Sequence, residues 1–305
     1  MKHLLFSIGI LLLLCSALHA QNPSQAALIE KAYQDSSVTL LYEFFDNWSA
    51  ETSSNENYAP NKWVAEAHKV FKAFYQPLQL DKIGCGEYDS LFSYQELPYF
   101  IVQNSLYRIS VTDTLPFKPD EFEAYFTNRI NQTYSDDSIR KKWIKYIQNE
   151  KGFGNILWLN GFPNNPAWRE LDITAVDSSI EFRPQVSFPG KKIVYLTYDY
   201  VQLLNKFLGN THVELGENGI MQPAYTKDES RQRMLFLTKA AKIYYGHWGG
   251  YWQYETYPEA TSIIFDTRMQ RAVVNFRFIY EGGMVYLEKK DGEWTIFSGE
   301  LTWME

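Results

Sequence analysis

The chain has 305 residues, of which 45% are hydrophobic and 17% aromatic, with 17 glycines and 12 prolines. This composition excludes a disordered or low-complexity protein, and the length leaves room for one large or two medium domains. The net charge of -7 gives no basic surface, so we expect no nucleic-acid partner.

Residues 1–20 have the layout of a secretory signal peptide. Lys2 and His3 precede an apolar run from Leu4 to Leu14, and the small residue Ala20 follows a few positions later. We expect cleavage after Ala20 and export to the periplasm or the extracellular space. The apolar run is shorter than the ~20 residues that a membrane-spanning helix needs, so we expect no integral membrane protein.

The two cysteines bear on the kind of export signal and on whether a disulfide can form. Cys15 raises the alternative of a lipoprotein, but the bulky Leu14 before it fits lipidation poorly. If Cys15 leaves with the signal peptide, Cys85 is the one cysteine of the mature chain. We therefore expect no intramolecular disulfide.

The mature chain is predicted to be an α+β protein with a mainly helical N-terminal half and short strands. Apolar residues at helical spacing predict helices, and period-two alternation or turn residues predict strands. The predicted helices cover 23–48, 61–75, a stretch from Pro119, 136–148 and 200–208. The segment 99–111 is predicted to be a strand or a hairpin, and 180–188 and 191–197 are predicted to be paired strands joined at Pro189-Gly190. A polar stretch over 216–223 suggests a boundary, which gives an α+β region over 21–222 and a second unit over 223–305.

The second unit is predicted to be one helix packed on an antiparallel meander sheet. Asp228 begins a helix that we expect to reach Tyr245. Alternating residues over 274–280 predict a strand, Glu281-Gly282-Gly283 a turn, and Asp291-Gly292 a tight hairpin. Earlier strands are predicted within 251–257 and 261–265.

A helix followed by hairpins of this kind resembles a known type of domain. The segments Tyr280-Glu281-Gly282-Gly283 and Lys290-Asp291-Gly292-Glu293-Trp294 are similar to the hairpins of the curved sheet in NTF2-like and cystatin-like families. The resemblance covers about residues 228–305. It implies a pocket between sheet and helix, and it carries over no functional residue because those families share a shape and not a motif.

Motifs for catalysis and metal binding are missing from the sequence. It has no phosphate loop, zinc-binding helix, nucleophile elbow or EF-hand loop, so we expect no cofactor and no metal. His68, His212 and His247 lie far apart, and His68 is expected to be a helix-surface or core residue. Cys85, between two glycines, is a candidate for an exposed thiol, although no base is visible beside it.

The strongest functional signal is the run Tyr244–Tyr254, called the aromatic segment below. Aromatic rings beside polar groups are suited to binding sugars or peptides. The candidate ligand-binding residues are His247, Trp248, Tyr251, Trp252 and Tyr254. The alternative is a structural role, in which the segment turns from helix to strand and Trp248 and Trp252 fill the core.

Three functions fit these observations. The first is an exported, non-catalytic protein that binds a glycan, a peptide or another small ligand. The second is a protein-interaction or inhibitor module that presents sheet edges or loops. The third is a hydrolase of envelope material or polysaccharide, for which Asp199, Glu255, Glu259 and Glu281 are acids near aromatic residues.

Overall fold

A computed structural model of the chain describes residues 23–54, 61–75, 80–86, 96–116, 119–149, 173–209, 214–215, 221–222, 227–245, 252–279 and 281–304. The fold class is α+β with a helical N-terminal half, as the sequence predicts. The predicted signal peptide lies outside the described residues. Within them, no helix is both long enough and apolar enough to cross a bilayer.

Most of the predicted helices are confirmed. The helices are α1 (Pro23–Gln34), α2 (Val38–Glu51), α3 (Lys62–Tyr75), α4 (Pro119–Thr133), α5 (Asp137–Asn149), α6 (Tyr198–Leu208) and α7 (Lys227–Leu237), with a 3-10 turn over Leu80–Ile83. The predicted helix over 23–48 is divided into α1 and α2. The chain turns at Ser36, where φ is +50°, and the Ser37 hydroxyl then accepts from the backbone N–H of Leu40 to begin α2.

The predicted helix from Asp228 to Tyr245 is too long, because α7 ends at Leu237. A helix that continued to Tyr245 would use the carbonyl of Ala240 as an acceptor for residue 244. That carbonyl instead accepts from the backbone N–H of Tyr99 at 3.2 Å. The chain then continues as a short strand at Tyr244–Tyr245.

In the part of the chain that the structure describes, the main sheet contains six strands in the order β12-β11-β10-β9-β2-β3. The strands in chain order are β1 (Tyr99–Gln103), β2 (Ser105–Thr112), β3 (Thr174–Glu181), β4 (Lys192–Leu196), β5 (Glu214–Leu215), β6 (Met221–Gln222), β7 (Tyr244–Tyr245), β8 (Trp252–Gln253), β9 (Glu259–Asp266), β10 (Arg271–Phe278), β11 (Glu281–Lys290) and β12 (Glu293–Met304). Strands β9 to β12 form the predicted antiparallel meander. Strand β2 joins β9 in parallel, so the sheet takes strands from both sides of residue 222.

Two of the predicted turns have different outcomes. The hairpin at Asp291-Gly292 is confirmed, with φ of +53° and +88°, the left-handed values that a two-residue turn requires. The turn predicted at Glu281–Gly283 is wrong, because these residues already belong to β11. Gly283 serves close packing instead, since a Cβ there would lie 2.5 Å from the ring carbon Cζ of Phe276.

The predicted pairing of strands 180–188 and 191–197 is also wrong. Strand β4 pairs in parallel with β1, and β3 pairs with β2. The chain leaves the sheet after Glu181 because Phe182 and Val186 are buried in the hydrophobic core. The Tyr195 hydroxyl fixes this path by donating to the Pro184 carbonyl at 2.7 Å.

The interior is divided into two large clusters. The first core lies between α3 and one face of the main sheet. The second core is formed by α1, α2, α6 and α7, with β1 and β4 between the two cores. The helix that packs across the sheet is therefore α3, whereas Phe236 and Leu237 of the C-terminal helix α7 lie in the second core. A smaller cluster joins α4 and α5 to the opposite face of the sheet.

Glu66 links α3 to the hairpin of β11 and β12. Its carboxylate accepts from Lys289 Nζ and Trp294 Nε1, each at 2.8 Å, and from Lys69 Nζ. Burial alone raises the pKa of Glu66, but these hydrogen bonds outweigh it and hold the pKa at about 2. The ionised form therefore stabilises the fold above the ordinary glutamate pKa near 4.5.

Replacing Glu66 by glutamine should lower the free energy of unfolding at neutral pH. The deficit relative to the wild type should shrink as the pH falls from about 4.5 to about 2, since the unfolded wild-type chain takes up a proton in this range while the folded carboxylate stays ionised until about pH 2. Urea unfolding of both proteins across this range measures the difference, with the exposed Glu293→Gln as control. A deficit that is independent of pH would contradict the assignment.

Candidate functional site

The structure places two of the candidate ligand-binding residues in the interior. Trp252 is 8% exposed and Tyr254 is 4% exposed, and both lie in the second core. Strands β7 and β8 pair Tyr245 with Trp252, the residues on either side of 246–251. His247, Trp248 and Tyr251 lie outside the described residues.

The Gln253 side chain holds the segment that follows β8. Its Nε2 donates to the carbonyl of Glu255 at 3.3 Å and is 3.5 Å from that of Tyr257. Its Oε1 accepts from the backbone N–H of Ile279, at the end of β10, at 2.5 Å. One buried amide thus joins the segment around Glu255 to the main sheet.

Hydrogen bonds on either side of Glu255 restrict it further. The backbone N–H of Thr256 donates to the Ile101 carbonyl, and the Thr256 hydroxyl accepts from the Ile101 N–H, both at 2.9 Å. The Tyr254 hydroxyl donates to Oδ1 of Asn205 in α6 at 2.5 Å. The backbone at Glu255 is therefore held by its two neighbours, which bind β1 and α6. A precise binding site needs such rigid support.

Glu255, Glu259 and Arg277 form a group of charged side chains that we call the acid cluster. Glu259 begins β9 and lies opposite Arg277 of β10. Burial, and to a smaller extent the neighbouring Glu259, raise the pKa of Glu255 to about 8, against the opposing effect of Arg277. Burial also raises the pKa of Glu259, again opposed by Arg277. At neutral pH this pair of carboxyl groups retains a proton, so it can both donate and accept hydrogen bonds.

Polar residues extend from the acid cluster along one face of the main sheet. Asn275 lies two residues before Arg277 in β10 and so points to the same side, and its Nδ2 donates to the Ser262 hydroxyl of β9 at 2.8 Å. Arg108 of β2 lies opposite Ser262 in the parallel pair. These residues, with Glu259 and Arg277, are called the polar face below. It is opposite to the face that packs on α3.

The four acids considered from the sequence are found in three places. Glu255 and Glu259 are close enough to interact electrostatically. Asp199 is exposed in the first turn of α6. Glu281 is buried at the start of β11, opposite Phe278 of the first core, and so lies on the α3 side of the sheet.

His68 and Cys85 belong to the core. The His68 ring lies 4.2 Å from that of Phe182, and burial lowers its pKa to about 3, so it is a neutral core histidine. Cys85 was a candidate for an exposed thiol, and this interpretation is wrong because its side chain is fully buried. Its backbone N–H donates to the Leu80 carbonyl at 2.7 Å, which ties it to the 3-10 turn. Among the described residues, no group of three or more His, Cys, Asp or Glu side chains is arranged to hold a metal ion.

The comparisons with known proteins give no family for this chain. The resemblance of residues 228–305 to NTF2-like and cystatin-like domains stays a prediction from the sequence. Searches against protein-family models, curated proteins and solved structures find no match.

Proposed function

We propose that the protein is exported and binds a glycan or a similar small polar ligand without catalysing a reaction. The observation that carries this proposal is the position of the acid cluster. It follows the aromatic segment directly in the chain and stands at one end of the polar face. Charged and amide side chains are thereby brought together close to the residue where the aromatic segment ends in the sequence.

The chemistry of these groups suits a polyhydroxylated ligand. The guanidinium groups of Arg277 and Arg108 donate hydrogen bonds, and the Asn275 amide both donates and accepts. A carboxyl pair that holds one proton also offers a donor and an acceptor to ligand hydroxyl groups. Aromatic rings add apolar contact area at low cost in conformational entropy.

Within the aromatic segment, the residues take different roles in this proposal. The buried rings of Trp252 and Tyr254 support the segment from the inside. Contact with the ligand is assigned to His247, Trp248 and Tyr251. The resemblance to NTF2-like and cystatin-like domains agrees with a ligand held against a sheet.

Replacing Trp248 by alanine should abolish ligand binding and leave the ligand-free stability almost unchanged. The matched variant Trp252→Ala should instead lower the free energy of unfolding by about 3–5 kcal/mol, because it empties a buried site. Thermal shift and tryptophan fluorescence against a panel of glycans and cell-wall fragments measure both effects. A ligand at about 100 times its Kd adds about 2.7 kcal/mol. The proposal fails if no glycan stabilises the protein or if Trp248→Ala binds as the wild type does.

Export is tested separately, through the N-terminus. Expression of the full chain in a bacterial host with a periplasm should give a mature protein that begins at Gln21. Intact-mass analysis of the periplasmic fraction identifies that end. A protein that stays cytoplasmic with residues 1–20 attached would refute export and leave the binding proposal to its own test.

A polysaccharide hydrolase is the second candidate, and one observation favours it. Glu255 has a raised pKa and lies beside the carboxyl group of Glu259. This combination is typical of a general acid paired with a second carboxylate. Under this alternative, glycans that bind are cleaved, and Glu255→Gln and Glu259→Gln each reduce the release of reducing ends at least about 100-fold. Binding without product formation favours the first proposal.

A further inference from the structure

A row of polar residues crosses four strands of the main sheet at one level of the polar face. Arg108 of β2 lies opposite Ser178 of β3 on one side and opposite Ser262 of β9 on the other. Ser262 in turn lies opposite Asn275 of β10. Neighbouring strands are about 4.8 Å apart, so these four residues, called the polar row below, span about 14 Å. An elongated ligand that lies across the strands can contact all of them.

A local irregularity in β2 turns two consecutive side chains out of the first core. Leu106 and Ile109 are both fully buried in that core, whereas residues three apart in a regular strand point to opposite faces. Tyr107 and Arg108, which lie between them, are both exposed, and Tyr107 is 67% exposed. The neighbouring strand β3 is irregular at the same level, since φ of Ser179 is +55°. Backbone values of this kind are frequent at ligand-binding sites.

The two outward side chains of β2 form one surface. The guanidinium group of Arg108 lies over the Tyr107 ring, with Cζ 5.4 Å from the ring centroid. A guanidinium that rests its flat face on a ring keeps the N–H groups at its edge for hydrogen bonds. Those N–H groups form a fork that fits the two oxygens of a carboxylate. The ring adds exposed apolar area directly beside the charge, which suits a ligand with both apolar and polar faces.

No carboxylate of the protein is seen to occupy that fork. Among the described residues, Arg108 takes part in no ion pair. Asp177 of β3 accepts from the Asn61 amide beside α3 at 3.1 Å, so it points to the opposite side of the sheet. Glu181, further along β3, pairs with Arg183. The fork of Arg108 is therefore available to a ligand.

The charge balance of the polar face indicates which anion fits. Arg277 carries one positive charge, and the carboxyl pair of the acid cluster carries one negative charge at neutral pH because it retains one proton. Arg108 therefore leaves one positive charge on the polar face. A carboxylate has one negative charge, whereas a phosphate monoester has nearly two. Since the whole chain has a net charge of -7, the ligand that fits best carries a single carboxylate at this position.

The neighbouring residues of the polar row supply groups for hydroxyls. Asn275 Nδ2 donates to the Ser262 hydroxyl oxygen at 2.8 Å. This contact leaves the Ser262 O–H as a donor and the Asn275 Oδ1 as an acceptor. The row ends at Met284 of β11, which lies opposite Asn275 and packs in the cluster that joins α4 and α5 to the sheet. Donors and acceptors for hydroxyl groups thus lie beside a site for one carboxylate.

We propose that the polar row binds an acidic sugar residue, with its carboxylate on the Arg108 guanidinium, its ring against Tyr107 and its hydroxyl groups on Ser262 and Asn275. This inference rests on the proposed glycan-binding function, and it names the chemical class of the glycan. The new contact is a salt bridge that forms on binding, so no covalent step is involved.

Calorimetric titration of the mature chain compares acidic oligosaccharides with neutral ones of the same backbone. The probes are oligomers of galacturonic, glucuronic and mannuronic acid and of sialic acid, each beside its carboxyl-reduced form. We expect at least one acidic oligomer to bind at least about tenfold more tightly than its reduced form, equivalent to about 1.4 kcal/mol. Equal binding within every pair, or no binding of any acidic oligomer, would overturn this inference. The glycan proposal itself stands as long as a neutral glycan binds, so the two failures are told apart.

Two protein variants locate the carboxylate. Arg108→Gln should weaken binding of the acidic oligomer at least about tenfold and leave binding of its reduced form as it is in the wild type. The matched variant Arg231→Gln removes an exposed arginine from α7, with the same change in charge, and should leave both affinities unchanged. The inference is wrong if the two variants affect the acidic oligomer equally, since net charge alone would then explain the preference. An unchanged urea midpoint of Arg108→Gln serves as the folding control.

Discussion

The substitution Trp48→Ala should lower the free energy of unfolding by about 3–5 kcal/mol. Trp48 is fully buried in the second core, and its indole ring is stacked on Tyr200 with centroids 4.3 Å apart and planes 6° apart. Its Nε1 also donates to the Tyr195 carbonyl at 2.9 Å. Alanine removes the stacking, the hydrogen bond and a large buried volume together. Denaturant unfolding of the mature chain measures the loss.

Two further variants separate these contributions. Trp48→Phe keeps an aromatic ring and loses the hydrogen bond, so its deficit should be smaller than that of alanine. Tyr198→Ala removes a ring that is 70% exposed, and its effect should stay within about 0.5 kcal/mol. If Trp48→Ala were as mild as Tyr198→Ala, the second core would not depend on this residue.

Replacing Glu255 by glutamine should remove a loss of stability that the wild type shows as the pH rises. The folded protein keeps the Glu255 proton until about pH 8, whereas the unfolded chain releases it near the ordinary value of 4.5. Between these values the unfolded state binds fewer protons, so the free energy of unfolding falls with rising pH and levels off above about 8. Each pH unit corresponds to about 1.4 kcal/mol for one proton, which makes this a large effect. Glutamine has no proton to lose.

Urea unfolding from about pH 5 to about pH 9 checks this expectation. Glu259→Gln should narrow the pH range over which stability falls, because it removes a neighbouring carboxyl group that raises the pKa of Glu255. The exposed Glu293→Gln should leave the slope as it is in the wild type. Parallel curves for Glu255→Gln and the wild type would show that Glu255 ionises normally in the folded protein.

Local signals in the sequence predicted the local structure well. Asp291-Gly292 forms the expected hairpin, and α6 ends at Gly209 with φ of +89°, as its position after an apolar helix indicates. The errors arose where a distant residue decides the outcome. Tyr99 takes the acceptor that would have prolonged α7, and β1 takes the place of β3 as the neighbour of β4. Neither partner is visible in a window of sequence.

At the candidate site, too, the sequence predicted local features but not the pairing of residues that are distant in the chain. Glu255 and Glu259 could be selected as acids near aromatic residues, but Arg277 read only as a polar position in an alternating strand. Its pairing with Glu259 depends on the register of β9 and β10, where a bulge between Asn275 and Phe276 shifts the alignment. The sequence likewise gave no sign that Tyr254 is buried, since an aromatic ring suits a core and a surface equally well.

The parallel pair of β2 and β9 also governs the order in which the protein can fold. It places Arg108 opposite Ser262, so the two parts of the main sheet meet only through residues far apart along the chain. Contacts of such long range require a large loop to close and make folding slow. A nascent chain that ends before Glu259 lacks the strand on which both parts meet. The main sheet is therefore completed only after residues 259–304 have been synthesised.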